Sequence, residues 1–401
     1  MAEKIKKLEA DVVIAGSGPG GCVIAKELSK KGKKVILIEK GRGDNRFVGN
    51  GLGVFLRMEN GFHFPLPYKK TREGYTVILA KCLGGGTYLY AGSAFMPDYD
   101  YWKRHGIEIP QDLTDEAMEE CWVTLPPEDF IGPGTRRIWE AASDLGMPFD
   151  KLYRHVDFSK CKLGCEYCTN GCRRDAKWTA RVFVDEAVRN GAALLTRTEV
   201  KEIIIENGVA GGVRAVAKGG QQYQIESKAV VCSAGGTHTA RLLQRSGFPD
   251  AGSWFNGDPT FFTFGFVKDG PGNGGEHNMT IGWHDEEHGI IFCSMLSPFG
   301  SWHMQFVQDE RRKGLARLNR FRKALGMFSK VSDDGVGRVM ANGTISKTFT
   351  ERDHQRFKYA REINTKILVK AGCDADDIHH SGFVLGHPSS TVRSASSWIP
   401  I

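Results

Sequence analysis

The chain has 401 residues, of which 41% are hydrophobic and 25% charged, a composition that is ordinary for a globular protein and a length that favours two domains. No apolar stretch is long enough to span a bilayer, and residues 1–10 contain lysines but no apolar core, so we expect neither a transmembrane segment nor a secretory signal. The net charge of +7 is scattered, which suits an anionic cofactor and argues against nucleic acid as a partner. Ten cysteines without an export signal favour a reducing, cytoplasmic location and uses other than disulfides.

The first predicted elements surround a glycine-rich turn. Val12–Ala15 is a short apolar run typical of a buried parallel strand. Three glycines in the pattern G-x-G-x-x-G follow it: Gly16, Gly18 and Gly21. A helix with one apolar face comes next and can end at Gly32, and Val35–Ile38 then forms a second strand that Glu39 closes.

This order of elements predicts a dinucleotide-binding turn, although a glycine-rich turn followed by a chance acid is the alternative. The glycines allow the tight turn, the approach of a diphosphate to the backbone, and the packing of helix on strand. The free N–H groups at the start of the helix then face the diphosphate, and Glu39 accepts hydrogen bonds from the ribose hydroxyls. The expected cofactor-binding residues of this region are Gly16, Ser17, Gly18, Pro19, Gly20, Gly21, Glu39 and Lys40.

A second glycine-rich stretch follows a long irregular region. Arg42–Arg72 has little periodicity, so we expect extended backbone that crosses the surface or covers a cofactor. The three consecutive glycines Gly84–Gly86 have no side chains, which allows another molecule to approach the backbone, although a flexible turn is the simpler interpretation. Thr87 is placed to cap a following helical segment.

Four cysteines form the second strong motif of the chain. They are spaced C-x3-C-x2-C-x3-C within twelve residues, as Cys161, Cys165, Cys168 and Cys172. Four thiolates hold either an iron–sulfur cluster or zinc, and the short C-x2-C-x3-C run with no second C-x2-C pair favours the cluster. Basic residues around the motif could offset the thiolate charge: Lys160, Lys162, Arg173, Arg174 and Lys177. We therefore expect a 4Fe–4S cluster, with zinc, disulfides or free thiols as alternatives.

The remaining predicted elements are a helix at Trp178–Asn190, a hairpin around residues 203–216, an antiparallel sheet in the second half, and a helix at Thr350–Ala371. For the sheet, the sequence predicts a half-buried strand at Phe261–Phe266 and two strands that flank a turn at His284–Gly289. A further alternating set consists of Trp302, Met304 and Phe306. The basic stretch 309–330 could dock an acidic partner or a membrane surface, but a solvated helix face is favoured.

Taken together, these stretches resemble the glucose–methanol–choline (GMC) oxidoreductases. The resemblance begins with the glycine fingerprint, LGGGT at Leu83–Thr87 and DYDYW at Asp98–Trp102. It continues in Thr198–Val216, which corresponds to the strand pair at the adenine end of FAD, and in Ala229–Phe248, which corresponds to the returning strand and helix. Gly386–Arg393 corresponds to the C-terminal His-Pro segment of the family.

The resemblance implies a flavoprotein that oxidises a small-molecule alcohol by hydride transfer to FAD. By motif position His387 is the general base, and histidine titrates in the useful range. The other cofactor-binding residues implied are Gly84, Gly85, Gly86, Thr87, Val200, Ala234 and Gly235. Some GMC-like proteins also carry a cysteine cluster before an Ala-Lys pair, here Ala176 and Lys177.

The sequence departs from the family pattern at several places. Tyr90 stands where the family has Asn, His238 and Thr239 replace its small hydroxyl residue and Pro or Ser, and Ser390 replaces a Gly. The family continues after the His-Pro motif through a final strand and helix with a second active-site His or Asn. Residues 394–401 do not resemble the start of that segment, so we expect only its beginning here.

The expected fold is α/β: a Rossmann-like FAD-binding domain, discontinuous in sequence, and a second α+β domain built on an antiparallel sheet. The expected divisions are 1–105 and 178–250 for the FAD-binding domain, 106–177 for an insertion with the cysteine cluster, 251–374 for the substrate domain and 375–401 for the final segment. A cluster beside a flavin favours a dehydrogenase that passes electrons to a partner protein or a quinone. The alternatives are a flavin-dependent C=C reductase fed by the cluster and a non-catalytic flavin-binding chain.

Overall fold

The computed structural model describes residues 5–44, 49, 51–59, 69–165, 167–273, 276–296, 318–389 and 392. The α-helices are α1 Pro19–Lys30, α2 Gly51–Arg57, α3 Tyr99–Arg104, α4 Gln111–Glu120, α5 Pro133–Asp144, α6 Arg181–Arg189, α7 Gly235–Arg245 and α8 Glu351–Lys370. The strands of the first half are β1 Lys6–Ala15, β2 Val35–Glu39, β3 Lys69–Lys70, β4 Thr76–Val77, β5 Ser93–Ala94, β6 Val123–Thr124, β7 Asp150–Lys151, β8 Tyr153–His155, β9 Ala193–Thr196 and β10 Thr198–Glu206. Those of the second half are β11 Val209–Ala217, β12 Gln222–Cys232, β13 Ser253–Phe255, β14 Pro259–Phe266, β15 Ile281–Asp285, β16 Ile290–Ser294, β17 Ala324–Val331, β18 Gly337–Val339, β19 Ile345–Lys347, β20 His379–His380 and β21 Val384–Leu385.

The first sheet has six strands in the order β10-β11-β12-β1-β2-β9. Strands β12, β1, β2 and β9 are parallel, whereas β10, β11 and β12 form an antiparallel meander at one edge. Helices α1 and α6 cover one face through Cys22 and Phe183, and α7 covers the other through Leu242. Because both faces are buried, β1 and β2 have continuous apolar runs. The order β1, α1, β2 confirms the predicted strand–helix–strand unit.

The second sheet is mostly antiparallel and has nine strands. Its main path is β3-β4-β21-β14-β17-β16-β15-β7, and β20 also pairs with β14. Helices α5 and α8 cover one face, where Ile138, Phe292 and Ile367 share one core. The fold class that the sequence predicts, a Rossmann-like domain joined to an α+β domain on an antiparallel sheet, is therefore confirmed.

The second sheet also contains short strands from outside the expected substrate domain. Strand β3 comes from the irregular region Arg42–Arg72, β4 follows shortly after that region, and β7 comes from the expected insertion. These two-residue strands carry no alternating pattern of their own, so periodicity could not reveal them. The second sheet is thus assembled from several parts of the chain.

Three predictions about the second half need correction or lie outside the structure. Strand β14 is not half-buried, because all eight of its residues are buried between α8 on one face and a second apolar cluster on the other. Residues 324–330, which the sequence analysis assigned to a solvated basic helix face, lie instead in β17 at the centre of the sheet. The alternating residues Trp302, Met304 and Phe306 and the basic residues 311–317 lie outside the described ranges. In the parts of the chain that the structure describes, no helix has the length and apolarity needed to cross a membrane.

Candidate functional site

The glycine turn lies between the end of β1 and the start of α1. Gly16 has φ of +105°, and a Cβ atom there would overlap the carbonyl oxygen of Ser233. Gly18 is the N-cap of α1, and no side chain caps this helix or places a carboxylate in its first turn. The N-terminal end of α1, with its partial positive charge, is therefore open to an anionic ligand.

Ser17 connects the two glycine-rich stretches. Its hydroxyl donates to Glu39 Oε2 at 2.7 Å and accepts from the backbone N–H of Gly84 at 3.2 Å. Gly85 has φ of +57°, and a Cβ atom at this position would lie only 2.9 Å from Gly18 Cα. The second stretch thus packs directly on the first turn, across more than sixty residues of sequence.

Glu39 ends β2 as predicted, and its carboxylate is 6% exposed. Oε2 accepts from the backbone N–H and the hydroxyl of Ser17, and Oε1 accepts from the N–H of Gly41 at 2.7 Å. Burial raises the pKa of Glu39 above its ordinary value, although these hydrogen bonds oppose the rise. Because a carboxylate has about four acceptor positions, Glu39 can still receive a hydrogen bond from a ligand.

Thr87 does not cap a helix. It lies inside a short 3-10 turn, Gly85–Tyr88, where its hydroxyl donates to the carbonyl of Gly84 at 2.6 Å and accepts from the N–H of Ala180 at 2.9 Å. The side chain therefore joins the second glycine stretch to the residues before α6, and it does not cap a helix because it lies inside this turn.

A cavity of about 530 Å³ opens between these elements. Strand β10 lines it with Val200, and the turn from β12 into α7 lines it with Ser233 and Gly235. The predicted residues that line it are Gly16, Ser17, Gly18, Pro19, Gly20, Glu39, Lys40, Gly85, Gly86, Val200, Ala234 and Gly235. The structure therefore brings together residues that the sequence spreads over more than two hundred positions.

Three predicted cofactor-binding residues do not line the cavity. Gly21 packs against the carbonyl of Gly16. Gly84 donates its N–H to Ser17, and Thr87 bonds to Gly84 and Ala180 rather than lining the cavity. Other lining residues were not predicted from the sequence: Ser233, Gly236, Thr237 and Arg245 are among them. Ser233 and Gly236 follow directly on the predicted returning strand, so their position at its carboxyl end was the available signal.

An ion-pair group stands at one side of the cavity. Lys40 and His238 line the cavity, and both contact Glu59 Oε2, at 2.7 and 2.6 Å. Burial raises the pKa of Glu59, but the contacts with His238 and Lys40 outweigh it, so its pKa lies below the usual range. Glu59 is therefore an anion that holds two cavity-lining side chains in place.

The His-Pro segment closes another side. Gly386 and Pro388 line the cavity, whereas His387 does not, and its side chain is 61% exposed. The imidazole Nδ1 lies 2.8 Å from Asp258 Oδ2, and Lys330 Nζ lies 3.0 Å from the same oxygen. Burial raises the pKa of Asp258, but His387 and Lys330 outweigh it and lower the pKa, so Asp258 is an anion beside His387.

The cysteine motif forms a loop that contacts Arg154 of β8 and His277, which precedes β15. All ten cysteines are free, so the disulfide alternative is not realised. The ring of His277, which the sequence analysis did not select, lies between two of the four: Nε2 is 3.6 Å from Cys161 Sγ, and Nδ1 is 4.0 Å from Cys168 Sγ. Burial raises the pKa of Cys161 to about 12 and lowers that of His277 to about 4. Within the described residues, no three His, Cys, Asp or Glu side chains are arranged to hold a metal ion.

Comparison with known proteins agrees with this geometry. A profile of the family described as GMC oxidoreductase matches residues 10–257. Long-chain-alcohol oxidase FAO3 of Arabidopsis thaliana is 26% identical across 94% of this chain and 54% of its own length. An uncharacterised protein of Methanocaldococcus jannaschii is 24% identical across 95% of this chain and 87% of its own length. The crystal structure of pyridoxine 4-oxidase from Mesorbium loti shares the fold, with a TM-score of 0.68 at 16% identity over 96% of this chain and 89% of that one.

The parallel sheet, the glycine turn and the acid that ends β2 define an α/β protein of the dinucleotide-binding class. The match to the family profile extends over more than half of the sequence, and the chain belongs to the GMC oxidoreductase family. The predicted family is therefore confirmed. The chain spans about half the length of curated relatives such as the plant alcohol oxidase.

Proposed function

We propose that this chain is an FAD-dependent oxidoreductase that oxidises a CH–OH group by hydride transfer to the flavin. The observation that carries the proposal is the cavity in which both glycine-rich stretches, Glu39 and the His-Pro segment meet in a member of the GMC family. The name of the long-chain-alcohol oxidase supports an alcohol as the substrate class. Bound FAD would supply the hydride acceptor of the reaction.

The residues around the cavity fit FAD. The uncapped end of α1 suits the diphosphate, and an added Cβ at Gly18 or Gly86 would meet no protein atom within 4 Å, so the backbone there is open to close approach. We assign all fifteen predicted residues to the cofactor site. Twelve of them line the cavity, whereas Gly21, Gly84 and Thr87 shape the turns that form it. The domain divisions of the sequence analysis remain our proposal.

His387 is the proposed general base. Because Asp258 is an anion, the imidazole donates from Nδ1, which leaves the lone pair of Nε2 free to accept a hydroxyl proton. The bond to Asp258 also orients the ring. The backbone supports this arrangement, since Asn256 and Ser389 exchange two hydrogen bonds that fasten the His-Pro segment to the turn before β14.

The test is anaerobic mixing of the FAD-reconstituted chain with a panel of alcohols while flavin absorbance is recorded. We expect at least one alcohol to bleach the flavin, and His387→Ala to slow bleaching by about a hundredfold or more, in the range of general-base catalysis. His284→Ala, which removes an exposed histidine of β15, is the matched control. Flavin bleaching at the wild-type rate in His387→Ala would contradict the assignment of His387 as the general base. Bleaching by an electron donor but by no alcohol would favour the alternative function, a flavin-dependent C=C reductase.

We further propose that Cys161, Cys165, Cys168 and Cys172 hold a 4Fe–4S cluster that passes electrons to a partner protein or a quinone, with zinc as the alternative metal. Four thiols within twelve residues are the donor set that both require, and His277 adds a nitrogen next to two of them. Because no three described side chains are arranged around a metal position, binding has to draw the four thiols together. The cysteine content also supports a cytoplasmic location. Iron, sulfide and zinc analysis of anaerobically purified protein decides between the metals, and a metal-free chain would contradict this part of the proposal.

A further inference from the structure

Two cations are buried beside the cysteine loop. Arg154 is 0% exposed and Lys177 is 4% exposed. Neither forms an ion pair with a carboxylate anywhere in the described ranges of the chain. Burying a charge without a counter-charge costs several kcal/mol, so a folded protein rarely keeps two such groups side by side.

The hydrogen bonds of Lys177 require the charged form. Its Nζ donates to three backbone carbonyls, those of Tyr88 at 2.9 Å, Tyr90 at 2.9 Å and Cys168 at 2.7 Å. An ammonium group has three N–H donors, and these carbonyls use all of them. The acceptors are neutral dipoles, so they orient the charge without cancelling it.

In the part of the chain that the structure describes, the guanidinium of Arg154 leaves one N–H without a hydrogen-bond partner, and it lies next to the cysteine loop. Its guanidinium donates to the carbonyls of Asn278 and Ala91, the latter at 2.6 Å. Its Nε has no hydrogen-bond partner among the described residues, and Nη2 lies 4.0 Å from Cys168 Sγ. A buried, unpaired guanidinium N–H is costly, which points to an anion that belongs beside it.

The cysteine loop can supply that anion. Thiols lose their protons when they bind a metal, so four thiolates around a dipositive centre carry two net negative charges. Two buried cations match this charge. A zinc ion and an oxidised 4Fe–4S core are both dipositive, so the match holds for either metal.

We propose that Arg154 and Lys177 are the built-in counter-charges of a dianionic four-thiolate metal centre at Cys161, Cys165, Cys168 and Cys172. This inference rests on the cysteine centre of the proposed function and adds two residues to it. Arg154 and Lys177 are positioning residues, because they act on the centre through charge and hydrogen bonds rather than as ligands. Their positive charges also favour the reduced state of an iron–sulfur centre, which carries one more negative charge.

The experiment measures Zn²⁺ affinity of the metal-free chain by chelator competition. Arg154→Met and Lys177→Met remove one charge each, and Arg154→Lys keeps the charge. Lys103→Met is the control, because Lys103 is an exposed cation of α3 that lies outside the cysteine loop. FAD binding by each variant checks that the fold is intact.

We expect Zn²⁺ to bind at least tenfold more weakly to Arg154→Met and to Lys177→Met than to wild type. The affinity of Lys103→Met should lie within about twofold of wild type, and that of Arg154→Lys should be nearly as high as wild type. Removal of the Arg154 charge is also expected to raise the melting temperature of the metal-free chain while lowering that of the metal-bound chain, a reversal that a purely structural role would not produce. Equal Zn²⁺ affinity in wild type, Arg154→Met and Lys177→Met would overturn this inference and leave the cysteine centre standing. A wild-type chain that binds neither zinc nor iron would overturn both.

Discussion

Gly18 offers a direct test of cofactor binding that does not depend on the identity of the substrate. Gly18 lines the cavity at the start of α1, with an ordinary extended backbone of φ −66° and ψ −177°. An added Cβ would meet no protein atom within 4 Å, so Gly18→Ala introduces no clash and no backbone strain. In our account the methyl group instead takes space that the diphosphate of FAD needs.

The expected magnitude follows from the hydrogen bonds that the diphosphate would lose. Displacing it by the width of a methyl group breaks one or two charge-assisted bonds to the N-terminal amides of α1, each worth about 1.5–3 kcal/mol. A loss of roughly 3 kcal/mol weakens FAD binding about a hundredfold. Alanine is also a poorer N-cap than glycine, so the free energy of unfolding of the FAD-free chain falls by no more than about 1 kcal/mol.

The assay is calorimetric titration of FAD-free protein with FAD, together with thermal unfolding. Gly219→Ala is the matched control, because an added Cβ there also meets no protein atom and Gly219 lies in the exposed turn between β11 and β12. Gly21→Ala is the contrasting variant, since its Cβ would overlap the carbonyl of Gly16 and lower the melting temperature with or without FAD. An FAD affinity of Gly18→Ala equal to that of wild type would refute the reasoning.

Three further predictions concern stability. Burial lowers the pKa of His380 to about 4, so the folded ring resists protonation. The free energy of unfolding therefore falls as pH drops from about 6.5 to 4, by up to about 3 kcal/mol. His380→Gln should reduce this loss in urea unfolding, and an unchanged pH dependence in the variant would contradict the prediction. Lys347→Met should cost about 3–5 kcal/mol in the same assay, because it leaves the fully buried Asp333 unpaired, and adding Asp333→Asn should recover part of the loss. Thr350→Ala should cost about 1 kcal/mol, because it removes the capping box with Asp353 at the start of α8, whereas Thr350→Ser should keep the melting temperature near that of wild type.

Much of the first sheet was predictable because its signals are local. The spacing of Gly16, Gly18 and Gly21 between two apolar runs specifies a strand, a turn and a helix within a few residues of one another. Glu39 was found in the same way, at the end of the second run. The additional contacts of Ser17 with Glu39 and Gly84 were not predictable, because no spacing rule connects the first glycine turn to the second before the chain has folded.

The second sheet shows why the rest could not be predicted. Its two-residue strands β3, β4, β7, β20 and β21 are too short to have a period, and each depends on a neighbour that is distant in sequence. The pair of His387 and Asp258 spans 129 positions, and it forms only because the Asn256–Ser389 bridge brings the two segments together. In the same way, Arg154 and Lys177 could be recognised as buried cations only after folding had removed them from water.

We infer above all that the cavity beside Gly18 holds FAD, and a crystal structure of the FAD-reconstituted chain can show this without any substrate. We expect one FAD per chain, with its diphosphate at the N-terminal end of α1 and a ribose hydroxyl within hydrogen-bonding distance of Glu39. A chain that binds no FAD, or FAD bound away from Gly18 and Glu39, would contradict the account.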